Sequence, residues 1–581
     1  MPPPSAPVSR EEEGLRAWLP MLGCACAYII SLLISIAAIV NVAGIATHVW
    51  ISNKITRFGA WMPSDVSRGE STREARSWIY LREWLILLVI AFIVYGLCAY
   101  CIARRLGTRN DARTRRIVYG IIVAVVLVCG VLYLLTPATI ATDMFSYASY
   151  GRLIAVYFAN PYFVPPSTFS HDIVFQWLYW KNTMSIYGPV WMAMCMFLTL
   201  LGGSTQMAIL TIFKLFAFLC HLLNIYLVYK GLNALGRSAR MVAVGTLLYA
   251  WNPLVLAESA LGGHNDVFMV TFLLLGLYWC AKAERAGTFL RPRGYIPPVI
   301  AFTLAILVKF SAAPAMAVLV LALFCATMRQ DSKPGMLVWL PALRSTIFAS
   351  ATFLVISVVL YGPFWIGHSL TEILKAFTAQ PSAADSINSI LYTFSNYNNA
   401  HLLPPFLNIF KSHKGWSMIN VLSMLAPVVI GVKYLWKHPD TKTMATIIIL
   451  SFAGFLLTAP WFFSWYLTWL VGLVPFLLPL NNNRFVRAVL LSSLTYSFVA
   501  FFSYYTTWVG WMKLEHAVPQ VFWSVELNGI MVGMPLLVFF VVWRYWPANI
   551  NLLVQRVSVA LHLPILHLPL KRVASESKTF Q

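Results

Sequence analysis

Acids are scarce in this chain, 20 in 581 residues, so an acid placed beside a long apolar run is informative. Asp143 stands a few residues beyond such a run. Thr142 precedes it as a helix cap, and Tyr147, Tyr150 and Arg152 return to one face at helical spacing. Two readings stand side by side. An acid in the first turn of a helix is favoured by the helix dipole, and an ionised carboxylate at the mouth of a membrane cavity can act as a general base on a hydroxyl. A second polar group, Gly262-Gly263-His264-Asn265-Asp266, interrupts apolar sequence further on. Its side chains suit hydrogen bonds to hydroxyls, or the capping of two helices. Lys309 is a lone cation between two short apolar helices that run from Pro297 to Thr327. A lysine there is expensive unless it faces a cavity or a partner, and it would stabilise a leaving phosphate. Arg152 is a second phosphate candidate, or an interfacial arginine snorkelling to headgroups. Lys214 and His221, seven residues apart, share one helix face and could line a lipid groove; a bonded core histidine is the other reading of His221.

The elements that must hold these residues are membrane spans. Of the 581 residues, 59% are hydrophobic and 11% charged, against about a quarter charged in soluble domains. Such a chain cannot cover itself with polar surface, so lipid must be its solvent over much of it. Runs such as 83–103 and 117–137 match the roughly 20 residues that cross a hydrocarbon core as a helix. The pattern predicts spans near 20–46, 83–103, 117–136, 207–229, 241–257, 266–282, 296–310, 311–328, 345–365, 416–436, 443–460, 466–480, 486–506 and 526–546, about fourteen in all.

Sidedness follows from Lys and Arg. The cluster Arg104, Arg105, Arg109, Arg113, Arg115 and Arg116 fills one short connection, and later basic residues fall in alternate loops. That is the positive-inside pattern, and it accounts for the net charge of +22 without nucleic acid. Both termini are then cytoplasmic. The apolar run Pro189 to Leu201 is short for a span, and counting it would invert every later loop, so it is expected to lie along or dip into the outer interface. Residues 138–206 become one long external loop, a length that usually signals function. It is rich in rings: 14 Phe, Tyr or Trp among the fifty residues from Thr142 to Trp191. They form an aromatic belt at the bilayer surface, platforms for a sugar or prenyl chain, or both.

Other features are quieter. Cys98 and Cys101 lie within a span and read as small buried hydrophobes, not a redox or metal pair. The first apolar run is too long for a signal-peptide core. The external stretch 366–415, with Asn388, Asn396, Asn398, Asn399 and His401, reads as a lid or a polar loop. The tail from Asn549 reads as a cytoplasmic surface helix.

The stretch Asp143-Met-Phe-Ser-Tyr-Ala-Ser-Tyr-Gly-Arg152, followed by Asn160-Pro161-Tyr162, resembles the first external loop of GT-C membrane glycosyltransferases. The nearest resemblance is to the polyprenol-phosphate-mannose-dependent mannosyltransferases of actinobacterial lipoglycan assembly. Tyr187-Gly188-Pro189-Val190-Trp191 and Trp251-Asn252-Pro253 with Gly262 to Asp266 agree with it. Val308-Lys309-Phe310, Tyr361 to Trp365, and Pro460-Trp461 with Trp465-Tyr466 are looser pieces. The resemblance runs from about residue 117 to 480.

It implies an all-α polytopic GT-C fold and transfer of a hexose, mannose by default, from a polyprenyl-phosphate donor to a hydroxyl of a glycolipid or glycan acceptor, outside the plasma membrane and with inversion. Asp143 would be the base. Tyr147, Arg152, Asn160, Tyr162, Tyr187, His264, Asn265, Asp266 and Lys309 would bind substrate. No cofactor is expected. Asp143 and Asp266 are acids that a hard divalent cation would accept, but the resemblance is to the branch that does without one. The chain would divide into an N-terminal tail with two extra spans (1–116), a catalytic core (117–366), a C-terminal module (367–548) and a cytoplasmic tail (549–581). The rival reading is a transporter or flippase of lipid-linked sugars; the clustering of acids at one face and the lack of a visible repeat weigh against it.

Overall fold

The computed structural model describes residues 18–50, 70–136, 143–330, 339–378, 413–459, 462–480, 483–504 and 528–545. Thr142, Pro460-Trp461, the asparagines at 388–399 with His401, and the tail 549–581 lie outside the described residues. Those described are helical, with no strand among them. In chain order the helices are α1 (Leu19–Trp50), α2 (Glu70–Thr108), α3 (Ala112–Leu135), α4 (Asp143–Ala155), α5 (Pro189–Gly202), α6 (Gln206–Ala234), α7 (Ala239–Ala250), α8 (Pro253–Ala260), α9 (Asp266–Arg285), α10 (Pro292–Val308), α11 (Ala313–Gln330), α12 (Trp339–Trp365), α13 (Leu370–Thr378), α14 (His413–Lys437), α15 (Thr441–Thr458), α16 (Leu467–Leu473), α17 (Arg484–Val499) and α18 (Asn528–Tyr545).

Ten helical stretches among the described residues are long and apolar enough to cross a membrane, which makes this a multi-pass membrane protein. They lie on α1, α2, α3, α6, α9, α11, α12, α14, α15 and α17. The remaining predicted spans differ in instructive ways. The run expected as one span over 241–257 is two helices, α7 and α8, bent by 51°. The break falls at Trp251-Asn252-Pro253 because Pro253 has no N–H to continue the ladder and suits the first helical turn. The Asn252 side chain caps that new turn, accepting from Leu254 and Val255 N–H. The expected span 466–480 is also broken, with 3₁₀ turns at Ser464–Tyr466 and Val474–Leu477 flanking α16. The segments at 292–308 and 529–545 are apolar but shorter than the ten.

A break inside a membrane protein frees carbonyls that need donors. Three side chains supply them at the α7–α8 bend. Tyr95 of α2 donates to Leu248 O at 2.7 Å, Tyr28 of α1 donates to Trp251 O, and His221 of α6 lies 3.2 Å from Ala250 O. The Trp251 indole in turn donates to Ile122 O of α3 at 3.0 Å and stacks on Tyr28. The two N-terminal spans therefore buttress the bend that aims α8 and the turn after it. His221 belongs to this support rather than to a groove. Lys214 is likewise structural: it is buried, and its ammonium donates to the carbonyls of Tyr133, Leu134 and Thr136. It thereby closes the orphan C-terminal end of α3.

Close backbone approaches seat α4 and α5. A Cβ on Gly151 would fall 2.3 Å from Cys195 O, so α4 lies directly on α5. A Cβ on Gly188 would fall 2.0 Å from Leu307 O, and Gly188 N–H donates to Val308 O at 3.1 Å. The Tyr187-Gly188-Pro189 turn thus grips the end of α10 just before Lys309. Gly263, at φ +63°, passes against Met144, with its own Cβ position 2.4 Å from the sulfur. That contact brings the 262–266 turn onto the first turn of α4.

Candidate active site

Asp143 opens α4, and the next ten residues of that helix are buried. Enclosure by protein raises the Asp143 carboxyl to about 6; Lys309 pulls it down, Asp266 pushes it up, and the Tyr147 hydroxyl lowers it. The three groups singled out by sequence, at 143, 266 and 309, therefore sense one another directly. Tyr147 is buried and donates to Asn265 Oδ1 at 3.2 Å, linking α4 to the start of α9. Its ring meets those of Tyr187 and Trp191 edge-on.

Asp266 is the first residue of α9, where the helix dipole favours an acid. It is fully buried, and its Oδ1 accepts from Lys309 Nζ at 2.8 Å and from the Trp469 indole at 2.6 Å. Asp266 Oδ2 has no partner among the described residues. Lys309 breaks the chain between α10 and the 3₁₀ turn Phe310–Ala312, as its sequence position foretold. Its ammonium lies 4.2 Å over the ring of Tyr466 and 5.2 Å over that of Trp469. A cation held by one carboxylate and two ring faces is desolvated but remains at the rim, since its side chain keeps 15% exposure.

His264 is fully buried and stacks on Trp465, centroids 4.1 Å apart. Burial, with Lys309 adding to it, pushes this imidazole well below its ordinary range, so the ring is neutral. Its Nε2 lies 3.3 Å from Glu258 Oε2. Sequence reading passed over Glu258, Trp469 and Ser464. Glu258 had a signal, a lone carboxylate within apolar sequence, but it fell just past the expected end of a span. Trp469 had none, since one tryptophan among 22 carries no mark of its partner.

The remaining predicted residues divide. Tyr162 donates to Tyr187 O at 2.8 Å, and both line a narrow open cleft with Phe310, Tyr361, Trp365 and Ile373. The cleft begins at the residue after Lys309 and runs to α12 and α13. Asn160 works on backbone, donating to Phe364 O at 2.6 Å and accepting from Tyr162 N–H. It ties the loop after α4 to the end of α12. Arg152 is turned to Asp172, Nε to Oδ2 at 2.7 Å, where Tyr157 also donates. This clasp folds the 157–177 segment onto α4, so the structure brings Arg152 to another loop residue and leaves Lys309 as the cation beside Asp143 and Asp266. Among the described residues no three His, Cys, Asp or Glu side chains converge as metal ligands.

The arrangement offers a carboxyl, a held cation and hydrogen-bonding groups close to an aromatic cleft. No curated protein and no solved structure matches the chain. A family model does: alpha-(1->6)-mannopyranosyltransferase, N-terminal domain, over residues 34–325. That region begins inside α1, upstream of residue 117 where the motif resemblance starts, and it takes in Asp143, the 262–266 turn and Lys309. With half its length described by this model, the chain belongs to the alpha-(1->6)-mannopyranosyltransferase family.

Proposed function

We propose that the protein transfers mannose from a polyprenyl-phosphate donor to a hydroxyl of a mannose-containing glycolipid or glycan, on the external face of the membrane. The observation that carries this reading is the electrostatic grouping of Asp143 with the Asp266–Lys309 pair, one residue along the chain from Phe310 in the wall of an aromatic cleft. The family description supports mannose and an α-(1→6) product, hence a primary 6-hydroxyl as acceptor. An α product from a β-linked donor requires one inverting displacement, and one displacement needs one base.

Asp143 takes the proton from the acceptor hydroxyl as its oxygen bonds to the anomeric carbon. The bond from that carbon to the phosphate oxygen breaks, and its electron pair leaves on polyprenyl phosphate. The leaving group gains a negative charge, which Lys309 is placed to balance in a site partly shielded from water. Asp266 and Trp469 keep that ammonium from wandering. Tyr147, through Asn265, and His264 hold the polar turn that faces the sugar. The cleft lined by Tyr162, Tyr187, Phe310 and Trp365 suits the first isoprene units, which need apolar and aromatic walls. The motif resemblance supports a GT-C scaffold, and the distribution of Lys and Arg supports cytoplasmic termini.

The test is direct. Purified protein in lipid nanodiscs is incubated with polyprenyl-phosphate mannose and a mannoside acceptor, and product is analysed for a new α-(1→6) linkage. Transfer that disappears in Asp143→Asn is the expected result. Absence of transfer from any polyprenyl-phosphate sugar, or full turnover in Asp143→Asn, would overturn the reading, and uptake into sealed vesicles without covalent transfer would put a transporter in its place.

A further inference from the structure

Glu258 is a carboxyl with no assigned task, buried completely on α8. Its Oε1 accepts two hydroxyl protons, from Ser464 at 2.9 Å and Tyr504 at 2.7 Å. Its Oε2 has no hydrogen-bond partner among the described residues, and His264 Nε2 lies 3.3 Å from it. Neither nitrogen of His264 has a hydrogen-bond partner there. Trp465 fixes the plane of the imidazole by stacking, but a half-turn flip about χ2 exchanges the ring positions within that plane. The Glu258 carboxyl, 3.3 Å from Nε2, distinguishes the two orientations.

The backbone is arranged to permit this approach. A Cβ on Gly262 would lie 2.6 Å from His264 Cδ2, 2.9 Å from Nε2 and 3.0 Å from Glu258 Oε2. Any side chain at 262 would stand between the two groups. The first glycine of the Gly262-Gly263 pair therefore makes room for a carboxyl–imidazole contact, while the second turns the chain at positive φ. A structural carboxyl would be cheaper as an apolar residue, since burying it costs free energy that two hydroxyl bonds only offset.

We infer that Glu258 is a positioning residue that fixes the rotation and tautomer of His264, so that Nδ1 presents an N–H to one hydroxyl of a sugar substrate. The inference rests on the glycosyl-transfer reading for its substrate and on geometry alone for the pair. No cationic side chain contacts Glu258 among the described residues, and Oε1 is filled by donors. A carboxyl proton on Oε2 would face Nε2 at 3.3 Å and would be given to it. A neutral imidazole accepting at Nε2 carries its own proton on Nδ1. With Nε2 turned to Glu258, Nδ1 is left without a partner, and a substrate hydroxyl oxygen would satisfy it.

Two measurements on the intact protein separate this inference from the transfer reading. The first needs no turnover. Solid-state NMR of ¹⁵N-histidine-labelled protein, with His264→Phe to assign the signal, reads the tautomer. A single Nδ1-protonated ring in the native protein and in Glu258→Gln, and a mixture in Glu258→Leu, is expected. Glu258→Gln places an amide N–H where the carboxyl proton was, so it rescues the pair. The second uses monodeoxy donors and acceptors. One analogue is expected to lose about tenfold in kcat/KM with the native protein, the worth of one hydrogen bond to a buried partner. Glu258→Gln retains that discrimination and Glu258→Leu abolishes it. An unchanged His264 signal in Glu258→Leu, or deoxy discrimination that survives Glu258→Leu or is lost in Glu258→Gln, would overturn the proposal. Should the native protein transfer no sugar, the NMR result still decides the pair and only the transfer reading falls.

Discussion

Lys309 Nζ lies 2.8 Å from Asp266 Oδ1, on an oxygen that also accepts the Trp469 indole proton, while Asp266 Oδ2 is left unpaired in the protein interior. The pair is thus asymmetric. One oxygen holds the cation at the rim, and the other faces nothing that a described side chain supplies. Removing one partner of such a pair leaves a buried charge, which costs about 3–5 kcal/mol. Lys309→Met should therefore lower thermal stability strongly as well as turnover. The double variant Lys309→Met with Asp266→Asn should recover most of the stability and none of the turnover. Thermal unfolding and mannosyl transfer, measured on the same preparations, check both halves.

Asp143 should behave differently from that pair, because the proposed mechanism makes it a base rather than a strut. Asp143→Asn keeps the shape and removes proton acceptance, for which the expected loss in kcat is about 10²–10⁴-fold. KM should change little, since the amide can still occupy the first turn of α4. A fall confined to KM would count against the role.

The pH dependence has a definite sign. Enclosure raises the Asp143 carboxyl to about 6, and a base works only when ionised. Turnover should rise through a half-maximum near pH 6 and flatten above it. At pH 5 about a tenth of the carboxyl is ionised, so kcat should be about tenfold below its plateau. The same raised value means that ionising Asp143 works against folding. Its stabilising contribution is present below the ordinary carboxylate value and is lost as pH rises through about 6. The residual activity of Asp143→Asn should lack this limb, and a pH profile of both proteins shows whether it does.

What could be read from the sequence was what has a local physical cause. Most apolar runs predicted helices where helices are found, because burial in lipid demands them, though the runs at 241–257 and 466–480 are broken. Asp143, the His264-Asn265-Asp266 turn and Lys309 stood out as polar groups in apolar sequence, and the fold brings them together. Illegible were the partnerships, which depend on packing between distant segments. Nothing around Lys214 says that it closes the end of α3, and nothing around His221 says that it supports the bend before α8. Arg152 looked like a phosphate ligand because its partner, Asp172, lies twenty residues away in an irregular loop. The bend itself was half-visible. Asn252-Pro253 is a helix-start signal, yet the apolar run across it outweighed the break.

Gly188 offers a test of how closely the site depends on one seam. Its Cβ position lies 2.0 Å from Leu307 O and 2.4 Å from the Leu307 carbonyl carbon, a backbone contact that no rotamer change can relieve. Gly188→Ala must push α5 away from α10, breaking the Gly188 N–H bond to Val308 O and shifting the chain immediately before Lys309. Overpacking of this kind costs about 1–3 kcal/mol. Because the displaced segment carries the cation, kcat should fall by more than the stability loss alone would produce. Gly96 on α2 is the control: nothing lies within 4 Å of its Cβ position, and alanine there should leave turnover unchanged while favouring the helix by about 0.5–1 kcal/mol. Comparing the two variants by thermal unfolding and transfer rate at a temperature where both are folded separates displacement of Lys309 from general loosening. Equal kcat for Gly188→Ala and Gly96→Ala would mean that the α5–α10 seam does not position Lys309.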